Sequence, residues 1–343
     1  MTFPKFSTRT LMNSVEIAKR PRMFLRDTFF PNTFESNSEY VDVDIFVGKR
    51  RVAPFVSPLH EGRVIERQGF TTSSFKPAYI KEKTAYNPQD FFNRMMGEQL
   101  HLPSQSPAAR IEMQLNKDIE DLLEMIDRRE ELMVRDILED GQITIAGDGI
   151  PSSTLNFQRD ANHTVTLTGT ALWTDAASLP QENLRDWRRL ISQNGGRSAD
   201  VAVLGADVYD ALENNTKFQA LLDNRRIDTG QVNVRELPDG VTAIGSLFGG
   251  ALDLFTYDEW YIDPADGVEK PMMPVNKVIV GSSRSRATRH YGAIQDMAAG
   301  LIPTRAWPKS WDEEDPSVRW VMVQSAPLPV PHETNAFVAA TVI

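Results

Sequence analysis

At 343 residues, 41% of them hydrophobic and 24% charged, the chain is long enough to bury a sizeable core and to divide into two or more lobes, as ordinary soluble globular proteins do. Cysteine is absent, which excludes disulfides and thiolate metal sites and points to synthesis in a reducing cytosol. The net charge of −10 argues against nucleic-acid binding by phosphate neutralisation over a broad surface. The apolar runs are too short to span a bilayer, and the first twenty residues lack the apolar core and cleavage site of a secretory leader.

Residues 1–47 read as an irregular arm. Pro4, Pro21 and Pro31 punctuate it, a short helix is expected near Leu11–Arg20, and the aromatic points Phe3, Phe6, Phe24, Phe29 and Phe30 require burial against a core or a neighbour. Residues 48–88 hold extended stretches broken by Pro54, Pro58, Gly62, Gly69 and Pro77, the pattern of a long two-stranded arm with turns. Such a ribbon is marginal in water unless something packs on it. Asn87-Pro88-Gln89-Asp90 opens a short helix over QDFFNRMMGEQL.

The stretch from Ala108 to Asp140 organises the rest. Ile111, Leu115, Ile119, Leu122, Leu123, Ile126, Met133, Ile137 and Leu138 recur three or four apart, which is the stripe of an amphipathic helix. Pro107 begins it and Gly141 stops it. Thirty-odd residues at about 1.5 Å each make a spine of roughly 45–50 Å.

Beyond Gly141, QITIAG, TLNFQR and HTVTLTGT alternate at period two and read as strands packed on the spine. From Trp173 to about 300 the pattern changes to βα alternation. Helices are expected over LPQENLRDWRRLISQNG and ADVYDALENNTKFQALLDNR, and strands over ADVAVLG, KVIVGSS and two or more stretches between Val232 and Asp263. The tail WVMVQSAPLPVPHETNAFVAATVI holds two strands split by three prolines and is expected to return to the first lobe's sheet.

Charge is unevenly spread. Residues 48–85 carry eight Lys/Arg against three Glu, a balance of +5, while residues 108–140 carry eleven acids against five bases, a balance of −6. The two segments are suited to meet, within the chain or between copies.

Motifs of chemistry are missing. The five histidines are scattered, and there is no GxxxxGK[ST], GxSxG or GxGxxG. Gly147-Asp148-Gly149 is a strand-to-strand turn. Asp258-Glu259 and Glu313-Glu314-Asp315 belong to no recognisable acid–base constellation. Arg284, Arg286, Arg289 and His290 form a basic cluster suited to surface or intersubunit pairing, and Trp307, Trp311 and Trp320 suit packing or an interface. No catalytic, cofactor or metal residue is assigned.

Four stretches resemble the lambda-like phage major capsid protein family (major capsid protein E), whose members have the Hong Kong 97-type capsid fold. They are Met23-Phe24-Leu25-Arg26 through Phe29-Phe30, FVSPLHEGRVIERQGFTTSSFKPAYIKEKTAYNPQ (55–89), VIVGSSRSRATRHYGAIQD (278–296) and WPKSWDEEDPSVRWVMVQSAPL (307–328). The resemblance implies an α+β subunit with an N-terminal arm (1–47) and an extended β-hairpin loop (48–88). It further implies a peripheral domain (89–172 and 301–343) containing the spine helix 108–140, and an axial domain (173–300).

The function so implied is that of a major capsid protein of a tailed phage. It would self-assemble as hexamers and pentamers of an icosahedral shell, without cofactors and without sequence-specific contact to the enclosed double-stranded DNA. Scaffold, portal and decoration proteins would be its partners, the host cytoplasm its place of assembly and the virion its destination. An encapsulin-like nanocompartment shell, or a soluble oligomeric enzyme built on the Arg284–His290 cluster, is the alternative. For the capsid, Arg63, Arg67, Phe75, Tyr79 and Lys81 of the loop are expected to meet Glu120, Glu124, Asp127 and Glu131 of a neighbour's spine.

Overall fold

The computed structural model describes residues 8–18, 23–38, 40–45, 52–53, 55–61, 64, 71–87, 107–147, 149–222, 230–237, 240–297, 299–300 and 302–343. Helix α1 (Thr8–Ile17) and the short α2 (Phe24–Phe29) precede β1 (Asn32–Glu35), β2 (Val41–Ile45), β3 (Thr71–Phe75) and β4 (Ile80–Tyr86). The spine, α3, runs from Pro107 to Asp140, 34 residues or roughly 50 Å. It is followed by β5 (Gln142–Gly147), β6 (Ile150–Asn156), β7 (Thr164–Thr166), α4 (Pro180–Asn194), β8 (Val201–Leu204), α5 (Ala206–Asn214) and α6 (Thr216–Leu222). Strands β9 (Gly230–Glu236), β10 (Val241–Leu247), β11 (Leu252–Tyr257), β12 (Trp260–Ile262), β13 (Glu269–Pro271), β14 (Lys277–Gly281) and β15 (Ala287–Tyr291) come next. The tail supplies β16 (Trp307–Glu313), β17 (Val318–Ser325), β18 (Pro327–Pro331) and β19 (Phe337–Thr341).

The centre is a seven-stranded mixed sheet in the order β7-β19-β14-β8-β11-β10-β9. Its middle strands are apolar on both faces, and alternation sorts their side chains into two cores. Val201, Val203, Ile279, Phe337 and Ala339 face one core, shared with α2 and the second half of the spine. Ala202, Leu204, Val278, Val280, Val338 and Ala340 face the other, under α4 and α5, where Trp173 and Trp187 stack at 6.0 Å. This two-sided burial explains why VAVL and KVIVG read as continuous apolar runs.

The first half of the spine packs elsewhere. Leu115, Ile119, Leu122, Leu123 and Ile126 meet Leu11 and Val15 of α1 and Val321 and Val323 of β17. The spine thus bridges two cores, one at each half.

Its C-terminal end is closed by Gly141 (φ 68°), whose N–H donates to the Ile137 carbonyl at 2.9 Å. The Arg159 guanidinium donates to the carbonyls of Leu138 (2.6 Å) and Glu139, satisfying acceptors that every helix end leaves open. Burial drives the pKa of that guanidinium down to about 10 despite Asp140 and Glu139 nearby.

Strand β3 pairs with β2 of the arm, and β4 with β17 of the tail. The reason for β4 is burial, since Tyr86 and Ile80 join the core beneath β17. One topological expectation is revised: the tail does not return to one sheet. β16 and β17 join β4, β18 joins β15 and β1, and β19 enters the central sheet between β14 and β7. The prolines of β18 are accommodated because it is an edge strand of its sheet. The short helix expected after Asn87 lies outside the described residues. Among the described residues, no helix is long and apolar enough to cross a membrane.

Candidate functional site

The apolar stripe of α3 has one interruption. Glu130 stands four residues after Ile126 and three before Met133, on the face that should be hydrophobic, and Asp127 and Glu131 flank it. All three are buried, at 0% (Asp127), 2% (Glu130) and 0% (Glu131) exposure. They lie where the two cores along the spine meet. Charge at such a place is sustained only by close counter-charges and hydrogen bonds.

Those are present. Arg26 of α2, itself buried, places Nη1 at 2.9 Å from Asp127 Oδ1 and 3.2 Å from Glu130 Oε2. Arg305 places Nη2 at 2.6 Å from the same Asp127 oxygen and 3.6 Å from Glu130 Oε2. Burial works against the charge on Arg26, but Glu130 and Asp127 more than offset it, so the guanidinium is held above its ordinary range. Burial also raises the Glu130 carboxyl, with Arg305 and Arg26 pulling back.

Glu131 has a different task. Its two oxygens accept the backbone N–H groups of Leu25 (2.7 Å) and Arg26 (2.8 Å), the open donors in the first turn of α2. Burial pushes its carboxyl up to about 7, against those amides and Arg26. The Tyr257 hydroxyl beside it donates to Glu259. The cluster is therefore a clasp that fixes α2 and the segment around Arg305 to the spine. Within it Arg26 and Arg305 stand against Asp127 and Glu130, and Glu131 against the amides of α2.

The residues expected at an intersubunit contact separate into four groups. Asp127 and Glu131 are corrected: they turn into the subunit and hold its own arm, so they are unavailable to a neighbour. On the spine's outer side Glu120 is exposed, and Glu124 is half-buried and paired with Arg128 at 3.0 Å. On the loop side Lys81 is exposed, with Nζ 4.8 Å from the ring centre of half-buried Tyr79. The Tyr79 hydroxyl donates to Gln324 Oε1 and accepts from the Gln295 amide, both at 2.9 Å. Phe75 packs partly against its own core. Arg63 and Arg67 lie outside the described residues.

Sequence reasoning missed Arg26, Glu130 and Arg305. The gap in the stripe between Ile126 and Met133 is the signal that marks Glu130 as buried. Nothing local marks Arg305, which lies 178 positions from Asp127.

The basic cluster after β14 does not converge on a pocket. Arg284 is exposed, the Arg286 amide donates to Glu333 (3.2 Å), and Arg289 reaches Asp27 (3.5 Å). His290 is buried, its ring 6.0 Å from that of His332, and burial and then His332 depress its pKa to about 4. Among the described residues there is no group of three or more His, Asp or Glu able to hold a metal ion. An open cleft between α1 and residues 304–306 is lined by Met12, Val15, Glu16, Thr304 and Arg305, the last already committed to Asp127.

Residues 7–342 match the family model described as phage major capsid protein E. The P21 prophage-derived major head protein of Escherichia coli O6:H1 (strain CFT073) is 28% identical, over 98% of this chain and 99% of its own length. The major capsid protein of Escherichia phage lambda is 26% identical, over 92% of this chain and 93% of its own. Among solved structures, the putative capsid protein of a prophage from E. coli CFT073 superposes with a TM-score of 0.73 at 24% identity, covering 98% of this chain and 99% of that one. The mixed helix-and-strand architecture is thus shared with that structure over nearly its whole length.

Proposed function

The chain belongs to the phage major capsid protein E family, and we propose that it is the major capsid protein of a tailed bacteriophage, a structural protein and not an enzyme. It self-assembles as hexamers and pentamers of an icosahedral shell around double-stranded DNA, which it contacts without sequence specificity. The observation that carries this reading is the length of the family match, which takes in arm, loop, spine and tail together. The full-length likeness to phage head proteins also favours a phage shell over an encapsulin-like nanocompartment. Scaffold, portal and decoration proteins are the partners in this reading, with assembly in the host cytoplasm and residence in the virion.

Within the Hong Kong 97-type scheme, residues 1–47 are the arm, 48–88 the extended loop, 89–172 with 301–343 the peripheral domain, and 173–300 the axial domain. The central sheet crosses the last boundary, because β7 and β19 fall on one side and β8, β9, β10, β11 and β14 on the other. The division is therefore one of position in the shell, not of separate folding units. The exposed spine acid Glu120, with Glu124, faces the basic loop of a neighbour, where Arg63, Arg67 and Lys81 supply charge and Phe75 and Tyr79 supply ring surface.

The experiment is negative-stain electron microscopy with sedimentation at low and high salt. Closed shells or flat capsomers are expected. Reversing charge at Arg63, Arg67 and Lys81 together is expected to abolish assembly or move its salt optimum, since exposed pairs are screened by salt. A compact dimer or tetramer under every salt would overturn the capsid reading, and unaltered assembly of the triple variant would overturn the electrostatic contact.

A further inference from the structure

Four buried polar atoms around the clasp have no hydrogen-bond partner among the described residues. They are Glu130 Oε1 on the spine, Arg289 Nε and Tyr291 Oη on β15, and Arg305 Nε in the segment before β16. Glu130 is 2% exposed and Tyr291 0%. Leaving a buried polar group without a partner is costly, and native proteins rarely do it.

The four belong to one place. Strand alternation turns Ala287, Arg289 and Tyr291 to the same face of β15, and Ala287 joins the core that holds the second half of the spine. Arg305 and Glu130 are already in contact, Nη2 standing 3.6 Å from Oε2, so the unpartnered Nε and Oε1 sit on neighbouring side chains. Burial holds the Tyr291 hydroxyl above its ordinary range, Glu130 adds to this, and Arg305, Arg289 and Arg26 pull back. Burial raises the Glu130 carboxyl as well, and Arg305, Arg26 and Arg289 pull it down. Arg289 spends its other nitrogens on the arm: Nη1 is 3.5 Å from Asp27, and Nη2 donates to the Pro31 carbonyl at 3.4 Å.

Charge decides what fits between them. Three guanidinium groups (Arg26, Arg289, Arg305) face three carboxylates (Asp27, Asp127, Glu130). A small anion would meet the Glu130 carboxylate, and a metal cation would meet two N–H donors. A water molecule offers two lone pairs to Arg289 and Arg305 and two O–H donors to Glu130 and Tyr291. We propose that an ordered internal water is bound among Glu130, Arg289, Tyr291 and Arg305 as a further member of the clasp. A buried water typically makes about three hydrogen bonds, and four are on offer here. The arm is then tied to the spine by two routes, directly through Arg26 and through the water by way of Arg289.

The inference does not depend on assembly, so the test uses crystals of the full-length subunit grown with bromide in place of chloride. One peak is expected within hydrogen-bonding distance, about 2.7–3.2 Å, of Glu130 Oε1, Tyr291 Oη and at least one of the two Nε atoms, with no anomalous signal. A bromide signal at that position would overturn the neutral ligand. Direct contacts among the four groups, with no density between them, would overturn the site. A double-mutant cycle in urea unfolding gives a second readout. Tyr291→Phe is expected to lower the midpoint by roughly 0.3 M. Combined with Glu130→Gln, it should cost less than the sum of the two single losses, because either change breaks the same bridge. Strict additivity would overturn the bridge.

Discussion

Replacing Arg26 by Met tests the clasp most directly. The Met side chain fills much of the same space but removes the charge that stands 2.9 Å from Asp127 and 3.2 Å from Glu130. Breaking one side of a buried ion pair costs about 3–5 kcal/mol, because the orphaned carboxylates stay out of water. Arg305 remains against both carboxylates, and Glu130, already raised by burial, can take up a proton. The lower end, about 3 kcal/mol, is therefore expected near neutral pH. In urea unfolding of the unassembled subunit, followed by Trp fluorescence, that is a midpoint lower by roughly 1 M. The deficit should shrink as pH falls, because protonation of Glu130 then offsets the missing cation. Adding Glu130→Met should recover part of the loss, as an apolar substitute does for an unpaired buried charge. A loss below about 1 kcal/mol, independent of pH, would refute the reasoning.

Four further outcomes follow from the same structure. Glu131 holds its proton up to about 7 in the folded chain, against 4.5 ordinarily. The folded state therefore binds a proton that the unfolded state has released, and stability falls as pH rises through that window, by roughly 3 kcal/mol for this group. Measured at several pH values, the difference between wild type and Glu131→Gln should move in the variant's favour from pH 4.5 to 7, and a flat difference would contradict the assignment. Arg159→Met removes the donors to the Leu138 and Glu139 carbonyls and should cost about 1.5–3 kcal/mol, with faster amide exchange in the last turn of the spine. Gly281→Ala would place a Cβ 2.6 Å from Phe337 Cδ1 and 2.9 Å from Phe29 Cε1, so an overpacking loss of about 1–3 kcal/mol is expected in thermal or urea unfolding. Leu59→Asp, at a site 95% exposed, should leave the subunit's unfolding midpoint unchanged while abolishing shells in the microscope.

The spine was legible because its pattern is local. Stripe, first-turn proline and closing glycine are all read within one window, and α3 (Pro107–Asp140) begins and ends close to where they place it. Helix α4 ends at Gly195 for the same kind of reason, and β8 and β14 stand out as short apolar runs. The tail was not legible, because which sheet a strand joins depends on partners far away in the chain. Trp320 pairs with Ala85, and Val338 with Val280. The clasp sits between these cases. Glu130 breaks a stripe that the sequence displays, but its partners Arg26 and Arg305 are over 100 residues away on either side.

Charge arithmetic misled in an instructive way. A balance of −6 along the spine suggests a uniformly acidic rod, available as a whole to a basic neighbour. Folding divides those acids by helical phase. Asp127, Glu130 and Glu131 fall on the inner face and are spent on the arm, while Glu139 is engaged by Lys277 and Asp136 by Arg135. Glu120 and Asp121 remain exposed, with Glu124 half-buried against Arg128. Among the described residues the spine thus keeps a short acidic band near its middle, with Asp140 exposed at its end. The acidic hairpin beside it, close enough for Glu259 to lie 3.9 Å from Arg128, extends that band toward the exposed Trp260 and Ile262.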